Sequence, residues 1–361
     1  MSELVRAAVA AIVEGRSLSM DDARLAMGAV MDGEATPSQL AALLMGLRMR
    51  GETVDELAGF ASAMRERVVR VEAPAGTIDI VGTGGDGSGT FNISTTAALI
   101  VASLGVPVAK HGNRAITSRS GSADVLDALG VRIDHDAASA GRAMTELGFA
   151  FLFAPSFHPA MRHAGPTRRE IGVRTAFNLL GPLTNPAGAT RGLIGVGDAA
   201  IAPKVAEVLR RLGTERSFVV CGAGVDELPL DGTGVIYDVT PAGIQRREVD
   251  PEAVGLSRAK TSSLGGADPV ANAALVEGVL RGEPGARRDV VLLNAGAALV
   301  AAGEVSTIED GVDRAALAVD AGLAVELLGK LREERRAAES AATTADTAAK
   351  ATSAGAAGGR A

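Results

Sequence analysis

From about residue 76 onward, short runs of β-forming residues alternate with apolar stretches of helical spacing. This alternation is typical of βα units and predicts a large α/β domain over residues 76–333 with a mainly parallel central sheet. The candidate helices between the strands span 94–104, 121–129 and 202–212. The predicted strands are 78–81, 106–109, 149–153, 193–196, 217–221, 234–239 and 290–293.

The first 70 residues have a different pattern, because their apolar residues recur at helical spacing. Thr36-Pro37-Ser38-Gln39 and Thr53-Val54-Asp55-Glu56 have the spacing of capping boxes, and both precede apolar helical runs. We predict about four helices that form a small helical domain over residues 1–70. Part of residues 157–191 is a candidate addition to that domain.

The segment 334–361 is rich in Ala, Thr, Ser and Gly and has almost no large apolar side chain. Such a segment cannot bury enough surface to offset the entropy lost on ordering. We therefore predict that this tail is disordered.

Charge and cysteine content narrow the class of protein. The formal net charge of −7 argues against a surface that binds nucleic acid. The single cysteine, Cys221, excludes an internal disulfide and fits a reducing compartment. The chain shows no signal-peptide pattern and no apolar run near the roughly 20 residues that a membrane span needs. We expect a soluble cytoplasmic protein that binds neither nucleic acid nor membrane.

A glycine-rich stretch, Gly82-Thr83-Gly84-Gly85-Asp86, follows the first predicted strand, and Asn92-Ile93-Ser94-Thr95 opens the next helix. Glycine lets the backbone approach a ligand closely, and the N–H groups of such a turn and of a helix N-terminus bind anions. The pattern indicates a phosphate or diphosphate site. The alternative is an ordinary tight βα turn capped by Ser94. No Lys-Ser or Lys-Thr pair closes the stretch, so it is not a Walker A loop.

A second loop, Lys110-His111-Gly112-Asn113-Arg114, follows the next predicted strand and runs on to Ser122. Ligands of open α/β sheets bind outside the carboxyl ends of the strands, so both loops are expected at one edge. The cations would suit an anion there. The alternative is a solvated basic loop.

Two adjacent acids, Asp226-Glu227, follow a third predicted strand. Mg²⁺ in proteins is typically held by one or two carboxylates together with substrate phosphates, and Ser94 could add a hydroxyl ligand. Taken alone, the pair could equally be an exposed turn. Farther along the chain, Arg168 could bind a carboxylate in bidentate fashion, although surface arginines on a helix are the more common case.

Several motifs occur together in one order along the chain. They are Gly82–Asp86, Asn92–Thr95, Lys110–Arg114, Ser120–Asp124, the run 174–186 (RTAFNLLGPLTNP) and Asp226-Glu227. The ordered set resembles the anthranilate phosphoribosyltransferase family over about residues 1–333. It is more specific than any single motif, since the first glycine motif also suits the related pyrimidine nucleoside phosphorylases.

The resemblance implies transfer of the 5-phosphoribosyl group from 5-phosphoribosyl diphosphate to the amine of anthranilate, with release of diphosphate, in tryptophan biosynthesis. It also implies a cleft between a small helical domain and a large α/β domain, a homodimer and two Mg²⁺ ions. The alternatives are a pyrimidine nucleoside phosphorylase and a non-enzymatic relative that binds nucleic acid.

The resemblance also implies roles for individual residues. Ser94 and Glu227 would hold one Mg²⁺, and Asp226 with Glu227 a second. Gly82, Asn113 and Arg168 would bind anthranilate, and His111 is a candidate for positioning. The residues implied for 5-phosphoribosyl diphosphate are Gly82, Gly85, Asp86, Thr90, Asn92, Ile93, Ser94, Thr95, Lys110, His111, Gly112, Asn113, Arg114, Ala115, Ile116, Thr117, Ser118 and Ser122.

The chain departs from the family pattern at four positions. Thr117 and Arg119 stand where Ser and Lys are frequent, Phe157 replaces a frequent Tyr, and Cys221 replaces a frequent His. None of the four is an implied metal ligand, and Phe157 and Cys221 would affect packing or the anthranilate entrance.

Overall fold

The computed structural model describes residues 1–115 and 119–357. Those residues form seven strands and fifteen α-helices, joined by short 3₁₀ turns. The strands are β1 Ile78–Gly82, β2 Val108–Gly112, β3 Phe149–Phe153, β4 Arg191–Gly195, β5 Arg216–Cys221, β6 Gly234–Thr240 and β7 Gly243–Val249. The helices are α1 Glu3–Val13, α2 Met20–Met31, α3 Pro37–Arg50, α4 Val54–Glu66, α5 Ile93–Ser103, α6 Ser122–Ala128, α7 Ala137–Leu147, α8 Ala154–Phe157, α9 Gly165–Ile171, α10 Phe177–Leu180, α11 Ala202–Arg211, α12 Pro269–Leu280, α13 Ala286–Ala302, α14 Ile308–Asp320 and α15 Leu323–Ala357.

Helices α1 to α4 form a bundle at the N-terminus. Thr36 and Thr53 begin α3 and α4 with complete capping boxes, as the sequence predicts. The bundle buries one leucine face of α3, where each fully buried leucine contributes about 2 kcal/mol. Its core also contains Phe177, Leu180 and Leu183 from the segment around α10. That segment therefore packs with the bundle although it lies far away in sequence.

The strands form one sheet in the order β3-β2-β1-β4-β5-β6-β7. The first five pair in parallel, whereas β6 and β7 are added as an antiparallel edge. The predicted fold class, a helical domain plus a mainly parallel α/β domain, is confirmed. Because β1 has β2 on one side and β4 on the other, the strand order reverses there, and ligands of open α/β sheets bind at such a point.

Two strand assignments from sequence differ from the structure. Residues 290–293 were predicted as a strand but lie inside α13, which is buried along nearly its whole length. A short, continuously apolar run has no periodicity that separates a buried strand from a buried helix. The edge strand β7 was not predicted, because its residues Gln245–Glu248 are charged or polar and exposed.

The C-terminal segment also differs from expectation. The sequence predicts disorder from residue 334, whereas α15 continues to Ala357. Alanine is the best helix former, so this composition supports a helix even without apolar burial. Arg332 and Arg335 fasten the helix to the domain by hydrogen bonds to the carbonyls of Leu129, just after α6, and of Asp127 in its last turn. The apolar anchors one turn earlier are Ala324, Leu327, Leu328 and Leu331.

Across the described residues, none of the helices combines the length and the apolar character required to traverse a lipid bilayer.

Candidate functional site

Three segments that sequence analysis singled out meet at the carboxyl edge of the sheet. The β1–α5 loop (residues 83–92) leaves β1, the β2–α6 loop (described at residues 113–115 and 119–121) leaves the neighbouring β2, and Asp226-Glu227 follow β5. Parallel strands place all three ends on one side, so residues far apart in sequence become neighbours.

The β1–α5 loop is held from two sides. The Gly84 N–H donates to Asp226 Oδ2 over 2.7 Å. On the other side, Arg174 donates from Nη1 to the Gly85 carbonyl over 2.7 Å and from Nη2 to the Gly84 carbonyl over 3.1 Å. Gly84 and Gly85 have φ of +68° and +66°, a region that other L-residues avoid, so the turn requires glycine.

Glycine at Gly82 and Gly195 serves close packing. A Cβ on Gly82 would overlap the Asp226 carboxylate, and one on Gly195 would overlap the Asp226 backbone. The segment that carries the acids therefore lies directly on the ends of β1 and β4. The close contact with Asp226 therefore requires glycine at position 82 whether or not a ligand is bound.

The acids form a compact negative cluster. Asp226 accepts from Gly84, and its own N–H donates to Asp86 Oδ2 over 3.2 Å. Glu227 Oε1 accepts from the Ser94 N–H over 3.1 Å. Burial, followed by repulsion from Asp86, raises the pKa of Asp226 to about 7. Burial, followed by repulsion from Asp226, raises the pKa of Glu227 to about 8.

These residues fit a divalent cation. Buried carboxylates that repel one another are stabilised when a cation shares them, and carboxylate oxygens are the ligands that Mg²⁺ prefers. Within the described residues, no group of three or more His, Cys, Asp or Glu side chains has metal-binding geometry by itself. The pair Asp226 and Glu227, with Ser94 beside it, therefore suits an ion whose remaining ligands are water and substrate oxygens.

The sequence predicts that Lys110, His111 and Gly112 lie in a loop after the second strand, whereas the structure places them in β2. The cations of this segment are engaged by the protein. Lys110 is buried, and its Nζ donates to the Ile80 carbonyl over 2.6 Å. Burial lowers the pKa of Lys110, and attraction to Asp79, Glu227 and Asp226 opposes this shift. Arg114 is exposed but donates to Asp124 over 2.9 Å and to Asp127 over 3.2 Å. The positive charge of Lys110 and Arg114, which the sequence predicts at this edge, is thus largely balanced by neighbouring carboxylates.

His111 is buried beside a second histidine. Its Nδ1 lies 3.1 Å from the Gly181 carbonyl, and its ring centroid lies 5.1 Å from that of His158. Burial lowers the pKa of His111 to about 3 and that of His158 to about 4. Both rings are therefore neutral at physiological pH. The Nε2 atoms of both are buried without a partner among the described residues.

One carboxylate closes the β2–α6 loop. Asp124 Oδ2 accepts from the Ala115 N–H over 2.8 Å and from the Gly121 N–H over 3.0 Å. The Ser122 hydroxyl reaches the Asn113 carbonyl at 3.4 Å, and Gly112 lies against Ser122 so closely that a Cβ would overlap its hydroxyl. The predicted site residues Ile116, Thr117 and Ser118 lie outside the described residues.

The remaining residues implied for the ribosyl donor differ in exposure: two are half-buried and two are buried. Asn92 is half-buried and contacts the second loop, since its Nδ2 lies 3.4 Å from the Ser120 carbonyl. Thr90 is half-buried and pairs through its backbone with Gly265. Ile93 and Thr95 are buried in the domain, and the Ile93 N–H donates to the Phe91 carbonyl over 2.8 Å.

Arg168 lies on α9, away from the two loops in sequence. Its guanidinium carbon is 4.7 Å from the centroid of the Phe177 ring, a cation–π arrangement that orients the side chain. Burial lowers the pKa of Arg168. Phe157 and Cys221, the two positions that depart from the family pattern near the site, are both buried and therefore act through packing.

Sequence reasoning gave no role to Asp79, Asn185 or Arg174. Asp79 is buried inside β1 and accepts from the His111 N–H over 3.2 Å and from Asn185 Nδ2 over 2.7 Å. Burial raises the pKa of Asp79 to about 6. An acid in the middle of an apolar strand was the available signal. The signal for Arg174 and Asn185 is their place in the motif run 174–186, from which the sequence assigns them no individual role.

Comparisons with known proteins agree with one another. Residues 75–325 match the glycosyl transferase family α/β domain, and residues 6–68 match the helical bundle domain of the same family. The chain is 51% identical over 286 residues to an anthranilate phosphoribosyltransferase from Azorhizobium caulinodans, covering 79% of this chain and 83% of the relative.

Solved structures give the same relationship. The anthranilate phosphoribosyltransferase from Thermus thermophilus superposes with a TM-score of 0.87 at 47% identity, over 91% of this chain and 99% of that one. The enzyme from Saccharomyces cerevisiae in complex with PRPP and Mg superposes with a TM-score of 0.85 at 25% identity, over 93% and 99% of the two chains.

Proposed function

This chain belongs to the anthranilate phosphoribosyltransferase family, and we propose that the loops at the carboxyl edge of its sheet are where the family's reaction takes place. The reaction moves the 5-phosphoribosyl group from 5-phosphoribosyl diphosphate (PRPP) to the amine of anthranilate and releases diphosphate. It is a step of tryptophan biosynthesis.

One observation carries the proposal for the site: Gly84 and Asp226, which are 142 positions apart, are joined by a hydrogen bond at that edge. This bond brings an anion-binding turn and a pair of metal-type carboxylates together. A diphosphate that binds with Mg²⁺ needs both.

Different residues of the site would bind the diphosphate and the metal ion. Backbone N–H groups of the glycine-rich β1–α5 loop bind the diphosphate, since such groups suit anions without a large rearrangement. Asp226 and Glu227, with Ser94 beside them, would hold Mg²⁺. A bound Mg²⁺ would supply positive charge next to the departing diphosphate.

The acceptor side requires orientation rather than activation. The amine of anthranilate is aromatic and uncharged at neutral pH, so it attacks C1 of the ribose without a strong base. Arg168 binds the anthranilate carboxylate, and closure of the helical domain over the sheet edge aligns the two substrates and excludes water. Neutral His111 serves at most to position the acceptor. We propose no covalent intermediate on the enzyme.

The two alternatives from the sequence are not favoured. A pyrimidine nucleoside phosphorylase would not need the acid pair beside a diphosphate site. A nucleic-acid-binding relative would need a basic stripe, whereas the net charge is −7, Arg114 is paired with acids and Lys110 is buried against the Ile80 carbonyl.

A fluorescence assay tests the function. Anthranilate fluorescence should decrease when the purified protein is mixed with anthranilate, PRPP and Mg²⁺, and the decrease should require all three. Uridine or thymidine with inorganic phosphate should give no free base. Phosphorolysis of the nucleoside without loss of anthranilate would overturn the assignment.

Three finer points belong to the same proposal: that two Mg²⁺ ions bind, that the protein is a homodimer, and that it acts in the cytoplasm. The shared Glu227, with Ser94 on one side and Asp226 on the other, supports two ions. Binding stoichiometry from Mn²⁺ titration in the presence of diphosphate, and native mass measurement, test the first two.

A further inference from the structure

The C-terminal helix reaches the substrate loops indirectly. The family match ends at residue 325, so nearly all of α15 lies beyond it. Even so, α15 packs along the domain and sends charged side chains to the end of α6. Helix α6 in turn carries the β2–α6 loop at its other end.

The contacts at the end of α6 are those of a helix cap. Arg332 Nε donates to the Leu129 carbonyl over 2.6 Å, and Arg335 Nη1 donates to the Asp127 carbonyl over 3.1 Å and the Val131 carbonyl over 3.3 Å. The last carbonyls of a helix have no partner within it, and cations at that end also favour the helix dipole. Since α6 has only seven residues, it is too short to be stable by itself and depends on such contacts.

A chain of ion pairs then leads from α15 to the loop. Arg335 Nη1 is 2.9 Å from Asp127 Oδ1, and Asp127 Oδ2 is 3.2 Å from Arg114 Nη2. Arg114 also pairs with Asp124, the carboxylate that binds the Ala115 and Gly121 N–H groups. Asp127 is therefore shared by the C-terminal helix and by the loop.

We propose that α15 positions the β2–α6 loop for the ribosyl donor, with Arg335 as the positioning residue that acts through Asp127 and Arg114. This inference rests on the proposed function, because it takes the loop to bind PRPP. Arg335 itself does not contact the substrate. Its part is to hold Asp127 and the end of α6 so that Arg114 and Asp124 stay in place.

The test compares full-length Arg335→Ala with Arg336→Ala. Arg336 is the exposed neighbour on α15, and among the described residues its side chain bonds to the Arg332 carbonyl of the same helix. We expect Arg335→Ala to raise the KM for PRPP about tenfold and the KM for anthranilate less than twofold. Arg336→Ala should match the parent protein. Arg335→Lys should recover part of the loss, since lysine keeps the charge beside Asp127 but lacks the forked donors.

A double-mutant cycle tests the route. If Arg335 acts through Asp127, then Arg335→Ala combined with Asp127→Ala should raise the KM for PRPP no more than Asp127→Ala alone. If the fold increases in the KM for PRPP of the two single variants multiply in the double variant, Arg335 does not act through Asp127. An Arg335→Ala variant with a lower melting temperature but unchanged KM values would overturn the positioning role, because that is what a merely structural residue would give.

A measurement without substrate separates this inference from the proposed function. Hydrogen exchange of the peptide 113–124 should be faster in Arg335→Ala than in the parent protein and in Arg336→Ala. If the parent protein fails to use PRPP but this difference is present, the proposed function is wrong and the coupling of α15 to the loop holds. Equal exchange in all three proteins would overturn the coupling.

Discussion

The β1–α5 loop and the β2–α6 loop leave adjacent strands of one sheet but are held in different ways. The first is fastened by Asp226 on its N–H side and by Arg174 on its carbonyl side. At the second, Arg114 is paired with Asp124 and Asp127, and Lys110 in the preceding strand donates to the Ile80 carbonyl. The first loop is therefore held by charged side chains of other segments, whereas at the second the cations themselves are already paired within the protein.

The largest expected effect is the loss of turnover when Asp226 and Glu227 are both replaced. Asp226→Asn combined with Glu227→Gln should lower turnover about 1000-fold and abolish its Mg²⁺ dependence, because the carboxylates that hold the ion are gone. The metal-free variant should also melt at a higher temperature, since the buried, repelling charges responsible for the raised pKa values of both groups are removed.

The matched control replaces Glu309 and Asp313, two exposed acids on α14, by Gln and Asn. It should leave both turnover and the Mg²⁺ titration unchanged. An unchanged Mg²⁺ titration in the Asp226 and Glu227 variant would contradict the metal assignment.

A substitution at Arg168 should affect anthranilate binding separately from PRPP binding at the two loops. Arg168→Ala should raise the KM for anthranilate about 30-fold and the KM for PRPP less than threefold, because it removes a partner of the anthranilate carboxylate alone. Steady-state kinetics with each substrate varied in turn measures this, and Arg169→Ala on the exposed side of α9 is the control. Equal effects on the two KM values would argue against the role.

Arg174 tests how the first loop is held. Arg174→Ala removes two hydrogen bonds to the Gly84 and Gly85 carbonyls, so the KM for PRPP should increase about tenfold while the KM for anthranilate changes little. Arg174→Lys, which can keep one of the two bonds, should fall between. If the alanine variant has the parent's KM for PRPP, the loop does not depend on this arginine.

The smallest expected effect is a change in stability with pH that arises from the buried, neutral His158. Burial lowers the pKa of His158 to about 4 from an unfolded value near 6.5, so its contribution to stability is present above pH 6.5 and is lost as the pH falls toward 4. Between pH 7 and pH 6 this amounts to about 1 kcal/mol.

Urea unfolding at both pH values measures that loss. His158→Gln should reduce it by about the same amount, about 1 kcal/mol, because glutamine does not titrate. A loss that is identical in the variant and the parent would show that His158 titrates as in the unfolded chain.

Local signals predicted much of the fold. The capping boxes at Thr36 and Thr53 and the strand at 78–81 depend on residues within a few positions of one another, so they can be read directly. The run at 290–293 could not be assigned in this way, because burial on all sides removes the periodicity that distinguishes helix from strand.

The sequence by itself determined the α/β class, the family and the set of loops at the carboxyl edge of the sheet, because these depend on motifs and on the order of strands and helices. Only the tertiary structure decided which way the charged groups point. Lys110 turns inward to Ile80, Arg114 turns to α6, and Arg335 is recruited from the tail. The partners of these side chains lie from 10 to more than 200 positions away, so the competition between burial, ion pairing and solvent is settled only once the chain has folded.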